Sequence, residues 1–208
     1  MKKSLLILIG AICFSFTAKA QISQGTKSLG GTVNFTSSST MSHYGSAPVQ
    51  TQNSNSLTFG PRIGYFISDG LAVGVALQYW GNTQNGNPDI YKENMIALSP
   101  FARVYKSLGE QFYIFGEGMI SVGAGGSKKI EPTRTLQGNN TSLVGLYISP
   151  GFIFFPTEKI GLELSFVGIQ FESRSSKNPE NRSLKTVNSN FKFGPDSFSP
   201  NIGIQYYF

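Results

Sequence analysis

Residues 56–65 alternate strictly between two kinds of side chain. Leu57, Phe59, Pro61, Ile63, Tyr65 and Ile67 fall on one parity, and Ser56, Thr58, Gly60, Arg62 and Gly64 on the other. After Ser68-Asp69-Gly70 the alternation resumes, with Leu71, Val73, Val75, Leu77 and Tyr79 against Ala72, Gly74, Ala76 and Gln78. The C-terminal segment repeats it: Phe198, Pro200, Ile202, Ile204, Tyr206 and Phe208 against Ser199, Asn201, Gly203 and Gln205. A period of two residues predicts strands whose two faces meet different surroundings. One face is large and apolar; the other is small and polar.

A second regularity groups these strands into hairpins. An apolar residue, a Gly or Ser, and a Pro precede alternation at Phe59-Gly60-Pro61, Leu98-Ser99-Pro100, Ile148-Ser149-Pro150 and Phe198-Ser199-Pro200. The prolines are 39, 50 and 50 residues apart, a hairpin-sized spacing. Four hairpins supply eight strands, enough to close a small barrel. Proline lacks the N–H that a ladder requires, so its recurrence in every second strand predicts a repeated bulge or bend that helps the sheet curl.

The distribution of polarity chooses between two kinds of barrel. A water-soluble carrier barrel places its large apolar side chains inside and needs a wet, charged exterior. Here the apolar face carries almost no charge along a strand, whereas Arg and Glu occupy the face of small residues. A narrow lumen accommodates Gly, Ala and Ser, and lipid accepts the large side chains. The predicted fold is therefore all-β: an eight-stranded antiparallel up-and-down transmembrane β-barrel over residues 21–208. Ser68-Asp69-Gly70, Lys106 to Gln111 and Pro156 to Lys159 read as short turns, and residues 38–54, 82–93, 124–142 and 172–197 as long polar loops. Short turns face the periplasm in such barrels, which predicts that both termini are periplasmic.

Residues 1–20 read as a cleaved signal peptide, with Lys2 and Lys3, an apolar run from Leu5 to Phe16, and Ala18-Lys19-Ala20 before the cleavage site. This changes the charge balance. The whole chain has 17 basic and 11 acidic residues, but three of the lysines lie in the leader, so the mature protein carries only +3. Cys13, the single cysteine, leaves with the leader, and no disulfide or thiol chemistry is expected. Past the leader no apolar stretch reaches the length of a membrane helix, and nothing marks a nucleic-acid partner.

Together the leader, the four hairpins, the Gly/Ser-Pro repeats and the terminal Tyr206-Tyr207-Phe208 resemble the small bacterial outer-membrane β-barrel families, of the outer-membrane protein A transmembrane domain and protein X type. The resemblance covers residues 27–208. It implies a monomer in the cell outer membrane among lipid and lipopolysaccharide. It further implies that Tyr206 and Phe208 form the signal read by the barrel-assembly machinery. The periplasmic peptidoglycan-binding domain of larger relatives is not expected.

Four charges fall on the inward parity. Arg62, Arg103, Glu117 and Glu163 lie four to six residues from the short turns, at a similar height in the lumen. Two cations and two anions at one level are expected to pair, because an unpaired charge in a narrow lumen is costly. The reading adopted is a structural plug; the alternative is a proton or ion path. A bulge in the seventh strand would reverse the facing of Glu163.

The remaining candidates lie nearer the outer rim. Lys128, Lys129, Arg134, Arg174, Lys177 and Arg182 are loop cations able to contact lipopolysaccharide phosphates. His43 is the only histidine, in the first loop near Ser42 and Ser46. A lipid A-modifying enzyme would need it beside a serine and a carboxylate. One His and no mature Cys argue against a metal site, and no cofactor is expected. Outward aromatics, among them Tyr65, Tyr79, Phe154 and Phe166, are expected at the membrane interfaces, and alternation turns Trp80 toward the lumen. The function expected is non-enzymatic: a barrel that presents loops for adhesion, envelope integrity or surface binding. The alternatives are the His43-centred enzyme and a narrow channel or small-solute conduit.

Overall fold

A computed structural model describes residues 22–42, 50–86, 88–179, 184–194 and 200–208. The expected leader, His43 and Arg182 lie outside the described residues. Ten strand segments follow in chain order: β1 (Lys27–Ser42), β2 (Gln50–Ser68), β3 (Leu71–Asn85), β4 (Ile90–Ser107), β5 (Phe112–Ile130), β6 (Thr135–Phe154), β7 (Ile160–Phe166), β8 (Ile169–Lys177), β9 (Lys185–Phe193) and β10 (Pro200–Tyr207). β7 with β8, and β9 with β10, are the two halves of the seventh and eighth wall strands. The result is a closed, antiparallel, eight-stranded barrel.

Closure joins the two ends of the chain. β10 pairs with β1 from Ser28↔Tyr207 to Thr32↔Gly203. Lys27 N donates to Phe208 O at 2.8 Å, and Phe208 N donates back to Lys27 O at 2.9 Å. Beyond Thr32, no ladder links β1 to the eighth wall strand among the described residues.

Alternation sorts the side chains as the sequence predicts, with one exception. Leu57, Ile63, Val73, Leu98, Ile148, Leu162 and Ile202 face outward and are exposed. The inward face is small in its middle, where Ala76, Ala97, Ser99 and Ser121 are buried. At the end that holds Ile22 and Phe208 it is not small. Phe66, Tyr105, Phe115, Ile153, Phe155 and Tyr207 fill the lumen there as one cluster. Glycines on the same face make the room: a Cβ at Gly74 would come within 2.5 Å of the Phe101 ring, and one at Gly151 would strike the Phe115 ring. Large and small inward residues thus alternate between neighbouring strands, as a narrow, filled lumen requires.

The chain ahead of β1 completes this seal. Residues 22–26 turn under the barrel, with Gly25 at φ +89°. Gly25 N donates to Phe66 O at 2.9 Å and Gly70 N to Ile22 O at 3.1 Å, which buries Ile22 against the aromatic cluster.

Two sequence expectations are corrected. The stretches read as long loops are largely strand. β1 runs to Ser42, β3 to Asn85, β5 to Ile130 and β8 to Lys177, so the links 86–89, 131–134 and 178–184 are short. Polar side chains on both faces mark where the wall leaves apolar surroundings, not where the ladder ends, because the ladder is made by the backbone. The prolines are also not a repeated bulge. At Pro61 and Pro100 the pairing toward the following strand is interrupted, but the register on either side is the same. The missing N–H removes a rung without adding a residue. Register shifts occur opposite Pro150 and next to Pro200, where the pairing moves from Pro200↔Phe166 to Phe193↔Ile169. Opposite Pro150, Val167 and Gly168 separate β7 from β8, and Gly168 N donates to Ile148 O at 3.1 Å.

Candidate functional site

The inward charges converge into one closed network above the aromatic seal. Arg62 on β2 donates through Nη1 and Nη2 to the two Glu117 oxygens, both at 3.0 Å. Arg103 on β4 donates through Nε to Glu117 Oε2 at 2.9 Å. Its Nη1 and Nη2 reach the Glu163 oxygens at 2.7 and 3.0 Å. Arg62 Nη1 also lies 3.7 Å from Glu163 Oε1. Each guanidinium therefore touches both carboxylates. The fork of Arg makes these bidentate contacts possible, which Lys could not supply.

The network is buried and lies between rings. Arg103 is 2% exposed and Glu163 3%. The guanidinium carbon of Arg103 lies 4.0 Å from the Phe115 ring centroid, and that of Arg62 lies 4.8 Å from the Phe101 centroid. Gln205 and Tyr105 complete it: Gln205 Nε2 donates to Glu163 Oε2 at 3.3 Å, and Arg103 Nη1 donates to the Tyr105 hydroxyl at 3.3 Å. Sequence reasoning missed the rings and these two polar partners. Their inward parity was the available signal. All four charges remain inward because the shift in the seventh wall strand lies beyond Glu163.

A second polar cluster occupies the lumen toward the other end. Glu172 accepts from Tyr147 Oη at 2.8 Å and from Gln170 Nε2 at 3.3 Å, and it pairs with Arg174. The Arg174 guanidinium lies 5.7 Å from the Trp80 ring centroid, and Trp80 packs on Met95, Ala97 and Leu143. Arg174 was expected in an outer loop. Instead it faces inward on β8, because the shift at Val167 and Gly168 reverses the parity of that half-strand. Between the two clusters the lumen is packed, with Ser99 and Ser121 hydrogen-bonded at 2.8 Å and fully buried.

Of the other expected cations, Lys129 and Arg134 meet on Glu131, whereas Lys128 and Lys177 face outward. Lys129 faces the lumen side of the β5–β6 tip and pairs with Asp89 at 2.7 Å and Glu131 at 2.9 Å; Arg134 pairs with Glu131 at 2.7 Å. Hydrogen bonds from Arg134 and then Lys129 hold the Glu131 carboxyl below its ordinary value, and Asp89 and Glu131 raise the Lys129 ammonium. Lys128 and Lys177 are exposed on the outward face. Tyr206 and Phe208 face outward with their rings stacked at 5.7 Å. The described residues hold no group of three or more His, Cys, Asp or Glu placed to share a metal ion.

No protein-family model matches the chain. No curated protein matches it either. Solved structures similar to it include Ail, the attachment invasion locus protein of Yersinia pestis, at 14% identity over 89% of this chain and 99% of that one, with a TM-score of 0.44. The outer membrane protein OprG of Pseudomonas aeruginosa is 12% identical over 89% and 97% of the two chains, with a TM-score of 0.46. A major outer membrane protein of Thermus thermophilus is 12% identical over 88% and 99%, with a TM-score of 0.40.

Proposed function

We propose that this chain is a non-enzymatic integral protein of the bacterial outer membrane, whose barrel holds a tall polar rim outside the cell for adhesion, envelope integrity or surface binding. The observation that carries this reading is the inversion of polarity: a continuous apolar exterior surrounds a lumen that contains the buried charges. An exposed apolar surface of this extent needs lipid or a partner to cover it, and a closed barrel leaves few backbone groups unpaired in a bilayer. The short 68–70, 106–111 and 156–159 turns lie at the end with Ile22 and Phe208, which supports placing that end in the periplasm. A removed leader, passage through the barrel-assembly machinery by way of Tyr206 and Phe208, contact with outer-membrane lipid and lipopolysaccharide, and a monomeric state belong to the same proposal.

The test is expression in a Gram-negative host. The protein is expected in the outer-membrane fraction, and unheated samples are expected to migrate differently from boiled ones, because a closed barrel resists unfolding in detergent. Recovery as a soluble periplasmic protein would overturn the reading. A lipid A acyl-transfer or deacylation activity abolished by His43→Ala would replace it with the enzymatic alternative. The aromatic seal and the charge network argue against the narrow channel.

A further inference from the structure

Among the described residues of the wall strands the outward face carries charge of one sign only, whereas the lumen holds both. Among the described residues, every carboxylate on a wall strand, Glu93, Glu117, Glu163 and Glu172, faces the lumen by register. Toward the outer rim the outward-facing charges among them are lysines alone: Lys92, Lys128, Lys177 and Lys185. Two pairs stand directly opposite each other on neighbouring strands, Lys92↔Lys128 and Lys177↔Lys185. Like charges in such positions repel, so the arrangement is unfavourable unless an anion joins them.

The Lys92–Lys128 pair overhangs a hollow. One rung nearer the membrane belt, the outward row runs Phe35↔Leu57↔Gly81↔Asn94↔Gly126↔Asn140 across six strands. Gly126 beneath Lys128 and Gly81 beneath Thr83 carry no side chain, so on either side of Asn94 the row is open. A further rung down lie Phe59↔Tyr79↔Ile96, which are exposed and apolar. Together these rows bound a groove of about 820 Å³. The Tyr79 hydroxyl points up into it, since a Cβ on Gly81 would come within 2.8 Å of that oxygen. Among the described residues neither Lys92 nor Lys128 has a carboxylate partner; Glu93, the next residue along β4, is turned inward opposite Ser127.

We propose that this groove binds the phosphomonoester of a lipid in the outward-facing leaflet, with Lys92 and Lys128 on the phosphate and an acyl chain along Tyr79, Ile96 and Phe35. Two adjacent ammonium groups match a dianionic monoester better than the single charge of a phosphodiester. The lipid A moiety of lipopolysaccharide carries such phosphates. The inference rests on the reading of the apolar exterior as membrane-embedded, and it adds the site and the headgroup chemistry.

The test uses the full mature barrel, refolded in lauryldimethylamine oxide, with bisphosphorylated lipid A as probe and native mass spectrometry as readout. Lys92→Ala with Lys128→Ala is expected to weaken lipid A binding by about tenfold or more, the scale of one or two lost charge-assisted hydrogen bonds. The Lys92→Arg, Lys128→Arg pair should retain it, and Lys129→Ala, whose ammonium is engaged with Asp89 and Glu131, should leave it unchanged. Dephosphorylated lipid A and phosphatidylglycerol, a diester, should bind more weakly than the probe. Millimolar inorganic phosphate should not displace it. Equal binding by the double alanine variant, equal binding of phosphatidylglycerol, or displacement by free phosphate would each overturn the proposal. Failure to insert into lipid vesicles would instead refute the membrane reading beneath it.

Discussion

Arg103 grips Glu163 through two hydrogen bonds, 2.7 and 3.0 Å long, between residues 60 positions apart in the chain. Both side chains are almost wholly buried. Each ion is costly to desolvate, and the attraction compensates only because the geometry is bidentate and the remaining oxygens find Arg62, Gln205 and a second Arg103 nitrogen. The network joins β2, β4, β5, β7 and β10 across the lumen. It works as a cross-brace more than as a source of raw stability.

Breaking the brace on one side should therefore cost far more than removing a surface pair. Arg103→Met leaves Glu163 and Glu117 with Arg62 as the one cation between them, and about 3–5 kcal/mol of stability should be lost. Urea titration of the refolded barrel, followed by the gel mobility of unheated samples, measures this. A loss within about 0.5 kcal/mol, typical of an unremarkable surface site, would show that the network carries no strain-bearing role.

The lumen should not conduct. Planar-bilayer recordings of the wild-type barrel are expected to show no unitary steps, because Phe66, Tyr105, Phe115, Phe155 and Tyr207 close one end and Ser99 with Ser121 fill the middle. Stable, repeated conductance steps that survive further purification would contradict this packing.

Trp80 is the only tryptophan, so its emission reports one place. It packs in the lumen against Met95, Ala97 and Leu143, with Arg174 over its ring. Brominated lipid should therefore quench it weakly, even though the neighbouring Tyr79 faces outward. Arg174→Ala should shift the emission without raising that quenching. Strong quenching by brominated lipid would place the indole outside the wall.

Space at Gly151 should be as strictly required as the charges. A Cβ there meets the Phe115 ring, which is itself held against Arg103. Gly151→Val should destabilise by about 1–3 kcal/mol through overpacking, and Gly151→Val with Phe115→Leu should recover part of it. Equal stability of the single variant and wild type would show that the ring has another place to go.

The tip between β5 and β6 should respond to acid. The Glu131 carboxyl lies below its ordinary value of 4.5, first because Arg134 donates to it and then because Lys129 does. A carboxylate lowered in the folded state contributes stability that is complete above its unfolded pKa and is lost as pH falls through the folded one. The clamp therefore weakens as pH falls below the ordinary carboxylate range and through the lowered folded value. NMR titration of the Glu131 carboxyl should give a midpoint that rises in Arg134→Ala; an unchanged midpoint would show that Arg134 does not hold it.

The facing of nearly every wall residue was legible in the chain, because a pleated strand turns successive side chains to opposite sides whatever its neighbours are. That is why Arg62, Arg103, Glu117 and Glu163 can be placed inward, and Tyr206 and Phe208 outward, from parity alone. Parity says nothing about height or partner. The extension of β1, β3, β5 and β8 into polar sequence depended on backbone pairing, which side-chain polarity does not report. The reversal at Val167 and Gly168, which carries Arg174 into the lumen beside Trp80, depended on a ladder shift opposite Pro150. The meeting of Arg103 with Glu163, and the two lysine pairs along the outer wall, needed the register between strands. Register is set by how the whole sheet curls and closes, and only the folded barrel contains that information.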